Sequence, residues 1–202
     1  MSRTLFTSRA GGDLKLPSNR EKLRQSIALN SLHFMRQTHS DLVMIAEEND
    51  GDFECDALVT TTPGVGIAAL AADCMPITFS AGAIVGVAHV GRIGLSNGIA
   101  IKTVELMRTL GASEIVATIG PSICSDCYEV SPAMYQEFIE LIPESSTSSF
   151  KHCLSLQRGV RSQLGLLNVS IVDVETCTLE NPLYFSYRRG GEPGRQAGVI
   201  SI

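Results

Sequence analysis

The sequence predicts an α/β fold of the α+β type, a single domain over residues 1–202 with helices packed on mixed sheets. Four strand-like runs follow one another in quick succession between Asp56 and His89. Helices with clear start and stop signals flank them. No internal repeat is evident, and no linker is long enough to divide the chain.

Composition sets the frame. The chain has 202 residues, 44% hydrophobic and 18% charged, as in an ordinary soluble globular protein able to bury a core without disulfides. Trp is absent and aromatics are 5%, so Ala, Val, Ile and Leu must build the core. A net charge of −5 argues against nucleic acid as a main partner. The start carries no apolar signal region, and the run around Val65–Ala72 is far short of a membrane span. A cytoplasmic location without membrane attachment is therefore expected. There the six cysteines stay mostly reduced and are candidates for metal binding, catalysis or core filling.

Taken in order, Ser18-Asn19-Arg20-Glu21 has the S-x-x-E form of a capping box and predicts a helix over 19–29. Phe34–Thr38 and Asp41–Ala46 read as short strands, and the acidic, Gly-bearing stretch 47–54 as a loop. Strands are predicted at Asp56–Thr61, Val65–Ala72, Pro76–Phe79 and Ile84–His89. The Gly-rich segment Val90–Gly98 reads as an irregular turn into a helix over Ile99–Leu110, stopped by Gly111. Glu114–Ile119 is β-like. Ser131-Pro132 opens a helix whose apolar stripe (Met134, Phe138, Leu141, Ile142) ends at Pro143. After the polar loop 145–149, Leu156, Val160 and Leu164 mark a helix ended by Gly165. Val169–Val174 is a final strand.

The chemistry-bearing residues sit at the ends of these runs. Ser80-Ala81-Gly82-Ala83 suits a hairpin turn. If Ala81-Gly82 is its centre, positions whose numbers sum to 163 face each other, and Cys74 and His89 do. Their Cβ atoms would then lie about 4.5–5.5 Å apart. A thiol and an imidazole at that separation share a metal ion or form a nucleophile–base pair. Adding His39 makes a His₂Cys set, which suits zinc and leaves the fourth position open, as in catalytic sites. The bland alternative is one buried cysteine and two ordinary histidines. Asp73 is a candidate to orient a ligating imidazole, or else a turn residue before Pro76. Cys124-Ser-Asp-Cys127 suggests redox chemistry or half a zinc site, but no second C-x-x-C exists and the segment reads as a loop with two thiols. The absence of H-x-E excludes a zinc nucleobase deaminase. Arg9 before Ala10-Gly11-Gly12, and the run Arg188-Arg189-Gly190-Gly191 with Arg195, join arginine to glycine. Such segments serve small anions or solvated turns.

Six runs, in order, resemble one family. They are Gln37-Thr38-His39-Ser40 (Q-V-H-G), Ala72-Asp73-Cys74-Met75-Pro76 (A-D-C-L-P) and Ala88-His89-Val90-Gly91 (A-H-A-G). Ile119-Gly120-Pro121 with Cys127-Tyr128-Glu129-Val130 follows (I-G-P…C-Y-E-V). Cys177-Thr178 with Phe185-Ser186-Tyr187-Arg188-Arg189 (C-T…F-S-Y-R-R) and Gly194-Arg195-Gln196-Ala197 (G-R-x-A) complete the series. They resemble the YfiH-like, laccase-domain proteins, called polyphenol oxidases in older usage and now regarded as purine nucleoside phosphorylases. The resemblance implies a layered α-β-α fold with mixed sheets, related to cysteine-dependent deamidases. It implies zinc held by His39, Cys74 and His89, with copper able to bind in vitro. It further implies phosphorolysis of adenosine, inosine and methylthioadenosine, with adenosine deamination as a side activity. Cys74 and His89 are then the catalytic candidates, and Arg9, Gln37, Arg92 and Arg188 the candidates for substrate and phosphate. The expected partners are a small nucleoside and phosphate, with the chain a monomer or weak homodimer. The family's A-H-A-G-W-R-G departs here to Val90-Gly91-Arg92-Ile93-Gly94 after His89, which makes Arg92 the candidate anion contact.

Other readings remain open. His₂Cys with Met75 echoes a blue-copper ligand set, but four histidines cannot supply a multicopper oxidase. A cysteine hydrolase would use Cys74 as thiolate and His89 as base. A purely structural zinc site would need a fourth ligand.

Overall fold

The computed structural model describes residues 2–49, 51, 53–147 and 151–202. The strands are β1 (Arg3–Phe6), β2 (Ser31–Phe34), β3 (Val43–Ile45), β4 (Ala57–Thr60), β5 (Val65–Ala71), β6 (Met75–Ala81), β7 (Ile84–Val90), β8 (Val116–Ile119), β9 (Ser170–Asp173) and β10 (Gln196–Ser201). The helices are α1 (Pro17–Ser26), α2 (Arg92–Ser96), α3 (Ile99–Thr109), α4 (Pro132–Leu141) and α5 (Leu156–Leu166). They form a mixed α/β fold in which two mixed sheets lie face to face. One sheet has the order β1-β10-β5-β2, the other β3-β4-β7-β6-β8-β9.

Period-two alternation explains the layers. In β5, Val65, Ile67 and Ala69 point between the sheets, where they meet Leu58, Val85, Val87 and Ile200. Ala68 and Leu70 point outward to Leu23 and Ile27 on the side of α1. In the larger sheet, Val59, Ile77, Phe79, Ala88 and Val90 face α3, α4 and α5 through Ile99, Val104, Met107, Phe138, Val160 and Leu164. Fully burying side chains such as Phe79, Ile77 and Leu164 stabilises by about 1.5–3 kcal/mol each.

Several expectations are corrected. The first helix begins at Pro17 with Leu16 as N-cap, so Ser18 lies inside it and Glu21 bonds Arg24 and Gln25 instead of closing a capping box. Proline at the first helical position outcompetes the serine cap. The stretch 90–98 contains α2, and α5 runs through Gly165 to Leu166. Residues 50 and 52 of the predicted acidic loop, and 148–149 of the polar loop, lie outside the described residues. The strands β1 and β10 have no counterpart in the sequence reading. β10 is buried throughout and pairs with β1 and β5, yet Gly198 and two polar residues blur its apolar pattern.

The hairpin register is also corrected. Ala81 pairs with Ile84, so the two-residue loop is Gly82-Ala83, with Gly82 in the left-handed region (φ 61°). His89 therefore faces Pro76, and Cys74 falls one pair beyond the ladder's end at Met75 and Val90. The slip is two residues, so facing is preserved. Cys74 and His89 remain on the inter-sheet face as diagonal neighbours.

Candidate metal centre and active-site cavity

Asp56, Cys74 and His89 share the inter-sheet face of the larger sheet, at or just beyond the ends of β4, β6 and β7. Among the described residues, His39, Cys74 and His89 form a group whose ligand atoms all lie within 4.8 Å of one another. The two imidazoles stand edge to face with centroids 4.8 Å apart.

Asp56 builds this arrangement. Its carboxylate is fully buried and accepts from His89 Nδ1 at 2.9 Å. A carboxylate only accepts, so Nδ1 carries a proton and Nε2 is the ring nitrogen left to face Cys74 or a metal. The other carboxylate oxygen accepts from the Thr38 amide (3.1 Å), the Ser40 amide (2.6 Å) and the Ser40 hydroxyl (2.8 Å). Those residues bracket His39, which sits at φ 59°, a region uncommon for a non-glycine residue. One carboxylate thus aims both histidines. Burial alone would raise its pKa, but the bonds from His89 and Ser40 outweigh burial and hold it down at about 2. Cys74 follows the same logic: burial opposes the thiolate, yet the neighbouring His89 and His39 pull its pKa below the ordinary thiol value. His89 moves up, because the charges of Cys74 and Asp56 overcome its burial.

Gly91 completes the cradle. A Cβ there would come within 2.9 Å of Cys74 Sγ and 3.3 Å of His39 Cδ2. Its φ of −92° is ordinary, so the requirement for glycine is space.

The trio opens into a cavity of about 570 Å³, a size usual for small-molecule sites. Leu70, Met35, Tyr128 and Tyr187 supply apolar and aromatic wall. Lys15, Arg188 and Arg195 supply cations. The Arg188 guanidinium lies 5.0 Å from the Tyr128 ring centre and donates to the Glu129 carbonyl at 2.7 Å. Burial, and then the charge of Cys74, push the Tyr128 phenol up.

The expected site residues separate in four ways. His39, Cys74 and His89 come together. Gln37, Asp73 and Arg188 line the cavity, but two of them are engaged elsewhere. The Gln37 amide pairs both ways with the backbone of Leu70 at 2.8 Å, which leaves one N–H for a ligand. The Asp73 carboxylate accepts from Thr178 Oγ1 (2.7 Å) and the Arg188 amide (2.8 Å), so it fixes the C-terminal loop. The carboxylate behind an imidazole is Asp56, which corrects the expectation for Asp73. Arg92 lines an adjoining groove with Tyr128, Glu129 and Arg188.

Arg9 does not line the cavity. It pairs with Glu192, donates to the Tyr184 carbonyl and stacks on Phe185. A Gly-flanked arginine reads alike in sequence whether it meets a ligand or a neighbouring loop. Asp56, Gly91, Lys15 and Tyr128 were not among the expected site residues. The sequence offers only a charged residue just before the apolar run Ala57–Val59, which does not distinguish Asp56 from an ordinary turn residue. Cys124 and Cys127 also gain company, because Cys177 and Glu180 join them in a second group, with ligand atoms within 4.8 Å of one another.

The profile of the multi-copper polyphenol oxidoreductase laccase family matches residues 8–202, and the chain belongs to that family. It is 37% identical over 230 residues to a protein of Corynebacterium glutamicum named purine nucleoside phosphorylase, covering 98% of this chain and 93% of the relative. A Streptomyces griseus protein of the same name is 37% identical, with 91% and 80% covered. Among solved structures, a Neisseria meningitidis protein superposes with a TM-score of 0.88 at 31% identity, covering 100% of this chain and 94% of its own. The Bacillus licheniformis protein YfiH gives 0.85 at 26% identity, covering 100% and 92%.

Proposed function

We propose that this chain is a zinc-dependent purine nucleoside phosphorylase acting on adenosine, inosine and methylthioadenosine. The observation that carries the reading is the His39–Cys74–His89 cluster on the wall of a cavity that also holds three cationic side chains and two tyrosine rings. The names of the relatives support the reaction class.

The donor set suits zinc: two imidazoles and a thiolate drawn below its ordinary pKa, with one imidazole fixed by a buried carboxylate. When bound, zinc supplies Lewis acidity towards an oxygen of phosphate or water. Cleavage of the N-glycosidic bond builds positive charge on the ribose; hydrogen phosphate captures the anomeric carbon, and the proton it gives up balances the one taken by the departing purine nitrogen. Lys15, Arg188 and Arg195 hold the phosphate dianion, with Arg188 already oriented by Glu129 and Tyr128. Tyr128, Tyr187, Leu70 and Met35 offer flat and apolar wall for the purine. The remaining N–H of Gln37 donates to the sugar or base. Deamination of adenosine would use the same cluster to activate water and is a secondary activity of this reading.

The test is base release from each nucleoside with and without inorganic phosphate, alongside metal analysis. Release should require phosphate, and Cys74→Ser should lose the ion of the His39–Cys74–His89 cluster and activity together. Full activity in that variant, with as much zinc per chain as the wild type, overturns the reading.

A second reading is favoured by the thiolate–imidazolium character of Cys74 and His89, that of a cysteine-nucleophile hydrolase. Iodoacetamide separates the two. A metal-bound Cys74 resists alkylation until a chelator is added, whereas a free nucleophile reacts at once. Copper oxidase chemistry of the multicopper type fits poorly. Of the four histidines, His33 packs on Phe53 and His152 on Tyr135, which leaves two at the site.

A further inference from the structure

We infer that Cys124, Cys127, Cys177 and Glu180 form a second metal site, a closed, thiolate-rich structural site of the zinc class. It stands apart from the His₂Cys centre and is independent of the proposed reaction. Its four ligand atoms all lie within 4.8 Å of one another. Three sulfurs and an oxygen bound tetrahedrally at about 2.3 Å stand roughly 3.8 Å apart, so closure needs only small side-chain movement.

The fold brings the four together by backbone geometry. The strands β8 and β9 are parallel, with Ile119 beside Asp173, so the segments after them leave the sheet at the same end. They stay paired. The Ser122 amide donates to Thr176 O (3.1 Å), and the Thr178 amide donates to Ser122 O (3.0 Å). That pairing sets Cys177 beside Cys124, whose amide donates to Cys177 Sγ at 3.4 Å. A tight turn, with the Cys127 and Tyr128 amides both donating to Cys124 O, draws Cys127 back beside Cys124. Cys127 Sγ then meets Glu180 Oε1 at 3.6 Å.

The chemistry selects the ligand. C-x-x-C is the usual spacing for one edge of a structural zinc tetrahedron, and Cys177 with Glu180 forms the opposite edge at i, i+3. Thiolate-rich sets favour zinc over hard cations. A disulfide between any two of the cysteines would leave the third sulfur and the carboxylate without a purpose. An ion uses all four.

The position gives the ion a task. Tyr128, which follows Cys127, lines the main cavity, and Thr178, which follows Cys177, anchors the Asp73 carboxylate. Metal at this cluster would tie the loop that carries the cavity residue Tyr128 to the loop that anchors Asp73, so it steadies two cavity-lining residues without touching substrate.

The test is zinc content after loading in a non-thiol, non-chelating reductant and removal of free metal. The wild type should carry two ions per chain, and Cys74→Ser one. The double variant Cys127→Ser/Cys177→Ser should carry one, retained at the His₂Cys centre. Cobalt-loaded Cys74→Ser should show thiolate-to-metal charge-transfer absorption. Glu180→Gln, a change at an exposed position that spares the core, should weaken zinc binding at this site at least about tenfold in chelator competition. Peptide mapping should find Cys124, Cys127 and Cys177 protected from alkylation until zinc is stripped. A zinc-free Cys74→Ser protein overturns the inference, as does unchanged zinc affinity in Glu180→Gln. So does a disulfide among these cysteines in protein prepared under reductant.

Discussion

The carboxylate of Asp56 meets Nδ1 of His89 at 2.9 Å, and through its other oxygen it ties down the segment that carries His39. Two of the three candidate metal ligands are therefore aimed by one buried group that touches no ligand position itself. Asp56→Asn keeps the size but replaces one acceptor oxygen with a donor, which then opposes either His89 Nδ1–H or the Ser40 donors. The expected outcome is a loss of about 3 kcal/mol in stability and a roughly 10- to 100-fold loss of metal affinity. Urea titration of the stripped protein and chelator competition check the two separately.

The same carboxylate predicts an acid limb in the stability profile of the metal-stripped protein. Its pKa is about 2 in the fold against an ordinary 3.8. A group whose folded pKa is depressed stabilises fully above its unfolded value. It loses that contribution as pH falls through the folded value. The window is therefore from about pH 4 down to about pH 2, and the amount is roughly 2 kcal/mol. Urea midpoints measured from pH 6 downwards should fall more steeply across this window in the wild type than in Asp56→Asn. Parallel curves would show that Asp56 is not held ionised by its partners.

Gly91 separates fold from site. A methyl group added there meets the Cys74 sulfur at 2.9 Å, while the backbone conformation suits any residue. Gly91→Ala should therefore fold with nearly unchanged far-UV circular dichroism and lose at least about tenfold in metal affinity, since a ligand held off its position by even a fraction of an ångström weakens the set. Unchanged metal affinity would mean that the cluster relaxes around the methyl group.

Cys74 and His89 were legible as a pair because each ends an apolar run, and a two-residue slip in a hairpin leaves facing intact, whereas His39 joined them as a candidate ligand through the ordered motifs. The proposed turn centre, Ala81-Gly82, was one residue early, yet Cys74 and His89 still share a face. Asp56 was not legible as a site residue. Its role depends on β4 pairing with β7, where Ala57 faces Ala88, a relation between segments some thirty residues apart. The cluster at Cys124 depends in the same way on the parallel pairing of β8 with β9, which no local pattern encodes. β10 was missed because Gly198 and the polar Gln196 and Ser201 interrupt its apolar character, although the two polar residues are buried in the sheet. Local periodicity carried the elements. Residues whose function arises from cross-strand neighbours needed the fold.

The arginines give the sharpest separation between binding and support. Arg188 lines the cavity, and its backbone amide, rather than its side chain, holds Asp73. Arg188→Met therefore keeps that anchor while removing a cation from the proposed phosphate site. A charge-assisted hydrogen bond contributes about 1.5–3 kcal/mol, so kcat/KM for phosphate should fall about 10- to 100-fold, with thermal stability little changed. Arg9 behaves in the opposite sense. Its guanidinium pairs with Glu192, donates to Tyr184 O at 3.1 Å and covers the Phe185 ring at 4.5 Å, all outside the cavity lining. The pair with Glu192 is partly solvent-exposed, so Arg9→Met should lower stability by only about 1 kcal/mol and leave KM for phosphate unchanged. Paired steady-state kinetics and denaturation curves for the two variants decide the assignment. A kinetic defect in Arg9→Met with none in Arg188→Met would place the anion site at the N-terminal turn instead of the C-terminal loop.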